Sequence, residues 1–512
     1  MNKNNTWGGV SSYTITLLGS MNRKRKNMKK GFTLIELLAV IVILAIIALI
    51  ATPIVLDIIK DSKNSSNEQS INNYVRAAEL TISKKEMNGD VANNSYSLDE
   101  LKEIGIGIKG KTPTGYDDFI VFGDNGVESY KLTLDGVKYI YANNKKYKLK
   151  ENEDIEYSIT GTEETIEENG TTVYKVGDWK YIVLETGKIQ LIEYTGNDTV
   201  LMVPGKVNDY EVHAVGVPNV DTSKISEEHK VYTVLGTFDT LEDASDLINF
   251  NETIKTIIIS SGIEKIDNCA FEGLYALERV ILPQTLTYMG NLSISYGGLR
   301  SITIPENVIY LGKNMVGYNL KLKEVYYNAT NAEPSYRDTE AGLIYSIIHN
   351  APIEKVVIGE NVESLPHYLF YNYFGTLNFE EIVIPENIKS MGWNVFWKCE
   401  KLKKVYYNAK NCEPGWKVTQ EGTSSRSVFK GTGLSSVIVG KEVERIPYSL
   451  FIAVSTLKEI TLSTNVKAID AKAFKNTGLT TVNYNGTKEE FDKITVGDSN
   501  TPFTSATINY LK

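Results

Sequence analysis

Apolar residues follow three rhythms along this 512-residue chain. The first is an unbroken run. Leu37–Leu56 carries no charge over 20 positions, about 30 Å as a helix and long enough to cross a bilayer. The second is helical. Ile71, Tyr74, Val75, Ala78 and Ile82 recur at three- and four-residue spacing, which predicts an amphipathic helix continuing to about Glu86. Pro53 removes one backbone donor near the outer end of the apolar run, so it should kink the helix rather than end it. Ser97-Leu98-Asp99-Glu100 has the spacing of a capping box and predicts a second helix start. The third rhythm is alternation. Phe119–Phe122, Tyr130–Leu134, Val137–Tyr141 and Lys146–Leu149 read as strands, separated by Asp124-Asn125-Gly126, Asp135-Gly136 and Asn143-Asn144. These elements predict a small antiparallel sheet packed on a long helix, a structural unit rather than a catalytic one.

From Ile254 a short phrase recurs: apolar, two variable, apolar, variable, apolar. It starts at Ile254, Leu277, Leu299, Leu322, Ile353, Phe379, Leu402, Leu434, Leu457 and Leu479, at intervals of 22 to 32 residues. Such a period is the mark of a solenoid, in which each coil hides its apolar face only by stacking on its neighbours. The first phrase of each unit predicts a strand. An aromatic anchor often closes the unit, as at Phe271, Phe370, Phe396, Phe451 and Phe474. A longer repeat overlies the short one. Leu322–Pro334 returns 80 residues later as Leu402–Pro414, and Ile302–Asn307 returns as Ile382–Asn387, which implies duplication of a block of about three coils. Extra residues after Pro334 and Pro414 predict equivalent inserts projecting from one face. Alternation makes one tyrosine of each pair, Tyr326/Tyr327 and Tyr406/Tyr407, face the core.

Two stretches break the rhythm. Residues 151–170 hold eight acidic and no basic residues, which predicts a solvated linker extended by self-repulsion; the ligand spacing of a calcium loop is missing. Pro218–Phe250 is longer than a coil, with a helical pattern at Leu241–Leu247.

Charge adds direction to the apolar run. Arg23, Lys24, Arg25, Lys26, Lys29 and Lys30 precede it, so its N-terminus should stay inside and the rest be exported. Glu36 places one carboxylate at the start of a segment otherwise suited to lipid, a cost that marks it as functional. Gly31-Phe32-Thr-Leu-Ile-Glu36, behind its basic leader, resembles the N-terminus of a type IV prepilin or pseudopilin. That resemblance implies cleavage between Gly31 and Phe32 by a prepilin peptidase, N-methylation of Phe32, and assembly with other pilin or pseudopilin subunits. The new amine of Phe32 would neutralise Glu36, and pairing between subunits would set the register of a filament. An ordinary secretory signal needs small residues before its cut site, and Ile43, Ile46 and Leu49 are not small. A leader counted from Met1 would have 31 residues; Met21 or Met28 would give the short basic leader usual for pilins.

The coils resemble the BspA-like leucine-rich repeats of bacterial surface proteins, over about Tyr181 to the C-terminus. Residues Tyr194–Pro204 and Tyr210–Gly216 look like an opening coil, and Tyr484–Phe491 with Ala506–Tyr510 like a closing cap. The resemblance implies adhesion or binding of an extracellular protein or glycan.

Composition mostly excludes. The formal charge of −9 includes seven basic residues and no acid in residues 1–31, so the chain without them carries −16, and direct nucleic-acid binding is not expected. Cys269, Cys399 and Cys412 make no disulfide framework; Cys269 reads as a small buried residue, and pairing of Cys399 with Cys412 stays open. The four histidines show no metal-ligand spacing, and no catalytic residue, metal or cofactor is expected: there is no nucleophile elbow, phosphate loop or dinucleotide fingerprint. Tyr336 and Trp416, 80 apart after Pro334 and Pro414, suit ligand recognition if they do not simply pack the inserts onto the solenoid edge.

The expected architecture is multidomain α+β. A leader (1–31) precedes a transmembrane and filament-core helix (32–56), a pilin-like helix with a small β head (57–150), an acidic linker (151–170) and a leucine-rich-repeat solenoid (171–512). The expected protein is a single-pass subunit of the cytoplasmic membrane, C-terminus outside, that moves to the surface as a minor or tip component of a pilus or pseudopilus. A structural pseudopilin of a DNA-uptake or type II secretion-like machine, or an unprocessed membrane-anchored repeat protein, is the alternative.

Overall fold

In the computed structural model, residues 34–89, 93–106, 110–168, 170–219, 230–233, 236–239, 253–334, 346–372, 375–410, 412–414 and 427–512 are described. The chain divides into two compact units, Met1–Ser66 and Asn67–Lys512. Helix α1 (Leu34–Met87) contributes to both and runs through Pro53 without a break. In the first unit Leu34, Leu37, Leu38, Ile41, Ile43 and Leu44 are all exposed. Among the described residues no helix is long and apolar enough to cross a membrane.

The second unit opens with a small head. Its sheet has the order β1 (Ser95–Ser97), β2 (Phe119–Gly123), β3 (Gly126–Leu134), β4 (Val137–Ala142), β5 (Lys145–Lys150), all antiparallel. Asp135, Gly136, Asn143 and Asn144 all have positive φ, the backbone that a two-residue hairpin turn demands. Helix α2 (Leu98–Glu103) starts with a complete capping box: the Glu100 N–H donates to Ser97 Oγ (3.3 Å), and the Ser97 N–H donates to Glu100 Oε2 (2.7 Å). The stripe Ile71, Tyr74, Ala78 and Ile82 buries against Ile120, Phe122, Leu132, Leu134 and Tyr139.

Coils then stack through two sets of parallel strands. The longer strands form three ladders. One joins Val200–Val203, Thr256–Ile259 and Arg279–Ile281; the next joins Ser301–Ile304, Glu324–Tyr327 and Lys355–Ile358. The third joins six strands from Glu381–Ile384 to Thr507–Tyr510. Two-residue strands such as Lys265–Ile266, Tyr288–Met289 and Tyr310–Leu311 pair in parallel on a second side. Phe370, Phe396, Phe429, Phe451, Phe474 and Phe503 stack as a column with centroids 5.3 to 5.6 Å apart. Offset stacking of this kind adds to area burial by about 0.5–1.5 kcal/mol per pair. Phe429 and Phe503 escape a search by period, because an insert precedes Phe429 and Phe503 lies in the terminal cap.

The acidic segment differs from its expected role as an extended linker. Ser158–Ile159 pairs in parallel with Lys206–Val207, and Glu163–Glu168 pairs antiparallel with Thr171–Val176. Ile155 is buried, and its carbonyl accepts from the Ser261 N–H at 2.8 Å. Cations outside the run offset the repulsion: Lys150 lies 2.8 Å from Glu153 and Lys180 lies 2.9 Å from Glu168. Of Pro218–Phe250, the described part includes a hairpin of Lys230–Thr233 and Gly236–Asp239; the helical pattern at 241–247 lies outside the described residues.

Candidate interaction face of the repeat region

Where a strand alternates, one row of side chains enters the solenoid and the other points outward. Glu381–Ile384, Lys404–Tyr407 and Ser436–Val439 do this: Ile382, Val405 and Val437 are core, while Val383, Tyr406 and Ile438 face out in register. Val200–Val203 and Thr256–Ile259 are instead buried at every position. Leu201, Val203, Ile257 and Ile259 belong to the solenoid core, but Val200, Met202 and Ile258 belong to a separate cluster with Ile140, Ala142 and Ile155. The head sits on the outward face of the first coils.

Polar contacts extend this seam. Ser129 Oγ and Thr256 Oγ1 share a buried hydrogen bond of 2.9 Å. Arg279 Nε donates to Ser95 Oγ (2.7 Å), and its guanidinium lies over the Phe119 ring. Thr303 Oγ1 donates to Asp117 (2.7 Å), whose carboxylate also pairs with Lys131. That pairing, opposed by burial, leaves Asp117 below the usual carboxylate range. Tyr116 packs against Tyr326 with centroids 4.8 Å apart, and its hydroxyl accepts from Asn328 Nδ2 at 3.0 Å. Asp118 shapes the loop that carries Tyr116: its carboxylate accepts from the Gly115 N–H (3.0 Å) and the Thr133 N–H (2.7 Å). A cavity of about 440 Å³ along the seam is lined in part by Tyr116, Lys131, Lys138, Asp154 and Arg279.

The residues singled out in the sequence lie elsewhere. Gly31, Phe32, Tyr336 and Trp416 are outside the described residues, and Glu36 and Pro53 are described only as backbone positions of α1. Tyr327 and Tyr407 are the core members of their pairs. Cys269, Cys399 and Cys412 are free and buried, and burial pushes all three thiols up, that of Cys412 to about 12. Among the described residues no group of three or more His, Cys, Asp or Glu could hold a metal ion. The seam itself was missed. Its signal was present in the loss of alternation at Val200-Leu-Met-Val203 and Thr256-Ile-Ile-Ile259, which marks strands covered on both faces.

Two family models match. One is the BspA type leucine-rich repeat region, in six copies over residues 248–336, 343–414 and 420–500; the other is the prokaryotic N-terminal methylation motif, over residues 26–52. The chain thus carries an N-terminal methylation motif together with BspA-type leucine-rich repeats. No curated protein matches it. Similar solved structures include a leucine-rich repeat protein from Bacteroides ovatus (15% identity, 66% of this chain and 99% of that one, TM-score 0.26). Others are a leucine rich cell surface protein from Faecalibacterium prausnitzii (17%, 63% and 97%, 0.24) and the pneumococcal vaccine antigen PcpA (15%, 68% and 99%, 0.28).

Proposed function

We propose that this chain is a pilin-like surface subunit that displays a leucine-rich-repeat domain for adhesion or ligand binding. The observation that carries this reading is the methylation motif over residues 26–52, running into the apolar stretch Leu37–Leu56. Prepilin peptidase cuts between Gly31 and Phe32, and the new amine is methylated. The helix from Phe32 holds the protein in the cytoplasmic membrane, C-terminus outside, before extraction into a filament. There Glu36 neutralises the Phe32 amine of a neighbouring subunit, because neither charge is tolerable alone in an apolar packing. The exposed apolar side chains of α1, among them Leu37, Leu38, Ile41 and Leu44, support a helix meant for lipid or for other helices. A repeat region of more than 300 residues on every subunit would crowd a long pilus, so the place is a minor or tip one. The division into leader 1–31, anchoring helix 32–56, head 57–150 and repeat domain 171–512 belongs to the same proposal.

Mass spectrometry of the mature N-terminus tests it, on protein from the membrane fraction and from material sheared off the cells. We expect a peptide beginning with N-methylated Phe32 in the sheared fraction. An intact leader confined to membranes would overturn the pilin reading and leave a membrane-anchored repeat protein.

A further inference from the structure

The block duplication produces the outward face twice, and among the described residues the head covers only the first copy. In the first, Thr303, Tyr326 and Asn328 receive the loop that carries Tyr116 and Asp117, and Tyr326 is buried by it. Eighty residues on, the same positions hold Val383, Tyr406 and Asn408. There Tyr406 is half-buried and Val383 is 46% exposed. The two asparagines are set alike. A Cβ at Gly359 would stand 2.3 Å from Asn328 Oδ1, and one at Gly440 would stand 2.3 Å from Asn408 Oδ1. Glycine at both positions therefore leaves room for the carboxamide oxygen and turns the amide outward. Asn328 spends that amide on the Tyr116 hydroxyl; Asn408 makes no side-chain hydrogen bond among the described residues.

We propose that Val383, Tyr406, Asn408 and Ile438 form a protein-docking face. Its occupant is a polypeptide segment presenting a tyrosine, seated as Tyr116 is seated on Tyr326 and Asn328. The ring of that tyrosine packs on Tyr406 and its hydroxyl accepts from Asn408. Two replacements define its flanks. Val383 stands where Thr303 donates to a carboxylate, and Ile438 adjoins Tyr406 in register, so an apolar neighbour fits there. Lys404, with Nζ 4.7 Å from the Tyr406 ring centroid, stands where Glu324 accepts from Tyr326, so an acidic neighbour is favoured on that side.

The probe is an acetylated, amidated peptide copying residues 114–121 (Thr-Gly-Tyr-Asp-Asp-Phe-Ile-Val), the internal occupant's own sequence. Saturation-transfer NMR reads its tyrosine ring against the full chain. We expect saturable binding that falls at least tenfold in Tyr406→Ala. Asn408→Ala should weaken it about fivefold, the worth of one hydrogen bond. A peptide with phenylalanine for tyrosine should lose about the same factor and show no further loss with Asn408→Ala. Binding absent from the unaltered protein overturns the proposal. So does binding undiminished by Tyr406→Ala in a variant with an unchanged melting curve, or a phenylalanine peptide that binds as well as the tyrosine one.

Discussion

Glu272 is a carboxylate with 4% of its surface exposed, beside the Cys269 thiol at a turn between coils. Burial pushes its pKa up to about 7, so the folded chain favours the neutral acid. The stabilising contribution of that proton is complete below the ordinary value of 4.5 and is lost as pH rises through about 7. The loss is on the order of 3 kcal/mol, at about 1.4 kcal/mol per unit. Glu272→Gln should therefore lose less melting temperature between pH 5 and 8 than the unaltered protein does. Parallel melting curves for the two would refute it. Neighbouring left-handed residues show what periodicity alone misses. Cys269, Leu292, Asn314, Asn394, Ser449 and Lys472 all take φ between 51° and 61°, and only the two asparagines are of a type that signals this backbone clearly. The stacked coils impose the turn, at a local cost of about 1–2 kcal/mol for each ordinary side chain.

At the scale of the element, the strand Thr256–Ile259 shows how much alternation says about its surroundings. Ile257 and Ile259 enter the solenoid while Ile258 enters the seam under the head. Ile258→Asp leaves the core row intact and puts a carboxylate against Ile140 and Met202, where water cannot reach it. Undocking should relieve that cost, which runs to several kcal/mol. Limited proteolysis should then cut residues 150–157 at least tenfold faster while the repeat fragment persists. Equal cutting rates would mean that the seam does not hold the head. The capping box at Ser97 and the hairpin turns at Asp135-Gly136 and Asn143-Asn144 were legible because their causes are local. The acidic segment was misread because its strand partners, Thr171–Val176 and Lys206–Val207, lie outside it, and Lys180 reaches Glu168 only through that pairing.

For the whole molecule, a stack of coils behaves as a sum of unit stabilities and nearest-neighbour interfaces. Removing one duplicated block should therefore shorten the solenoid without unfolding it. Deletion of residues 322–401 joins Lys321 to Leu402 in phase and brings Tyr406 and Asn408 to the places of Tyr326 and Asn328 beneath Tyr116. The variant should unfold cooperatively and keep its head as resistant to protease as before. A sheared transition or a freely cut head would show that the two blocks are not interchangeable.

The sequence by itself determined the coil period, the 80-residue duplication, the head's hairpins and the methylation motif, because each depends on spacing between residues near in the chain. It also dictated that one tyrosine of each pair faces the core, since a strand's two faces alternate; the structure showed these to be Tyr327 and Tyr407. Tertiary structure decided that the head covers the outward face of the first coils and, among the described residues, not that of the later ones. That choice depends on groups 127 to 212 residues apart, such as Ser129 with Thr256 and Tyr116 with Asn328. No local pattern encodes such a pairing, because its free energy appears only when both surfaces lose water together.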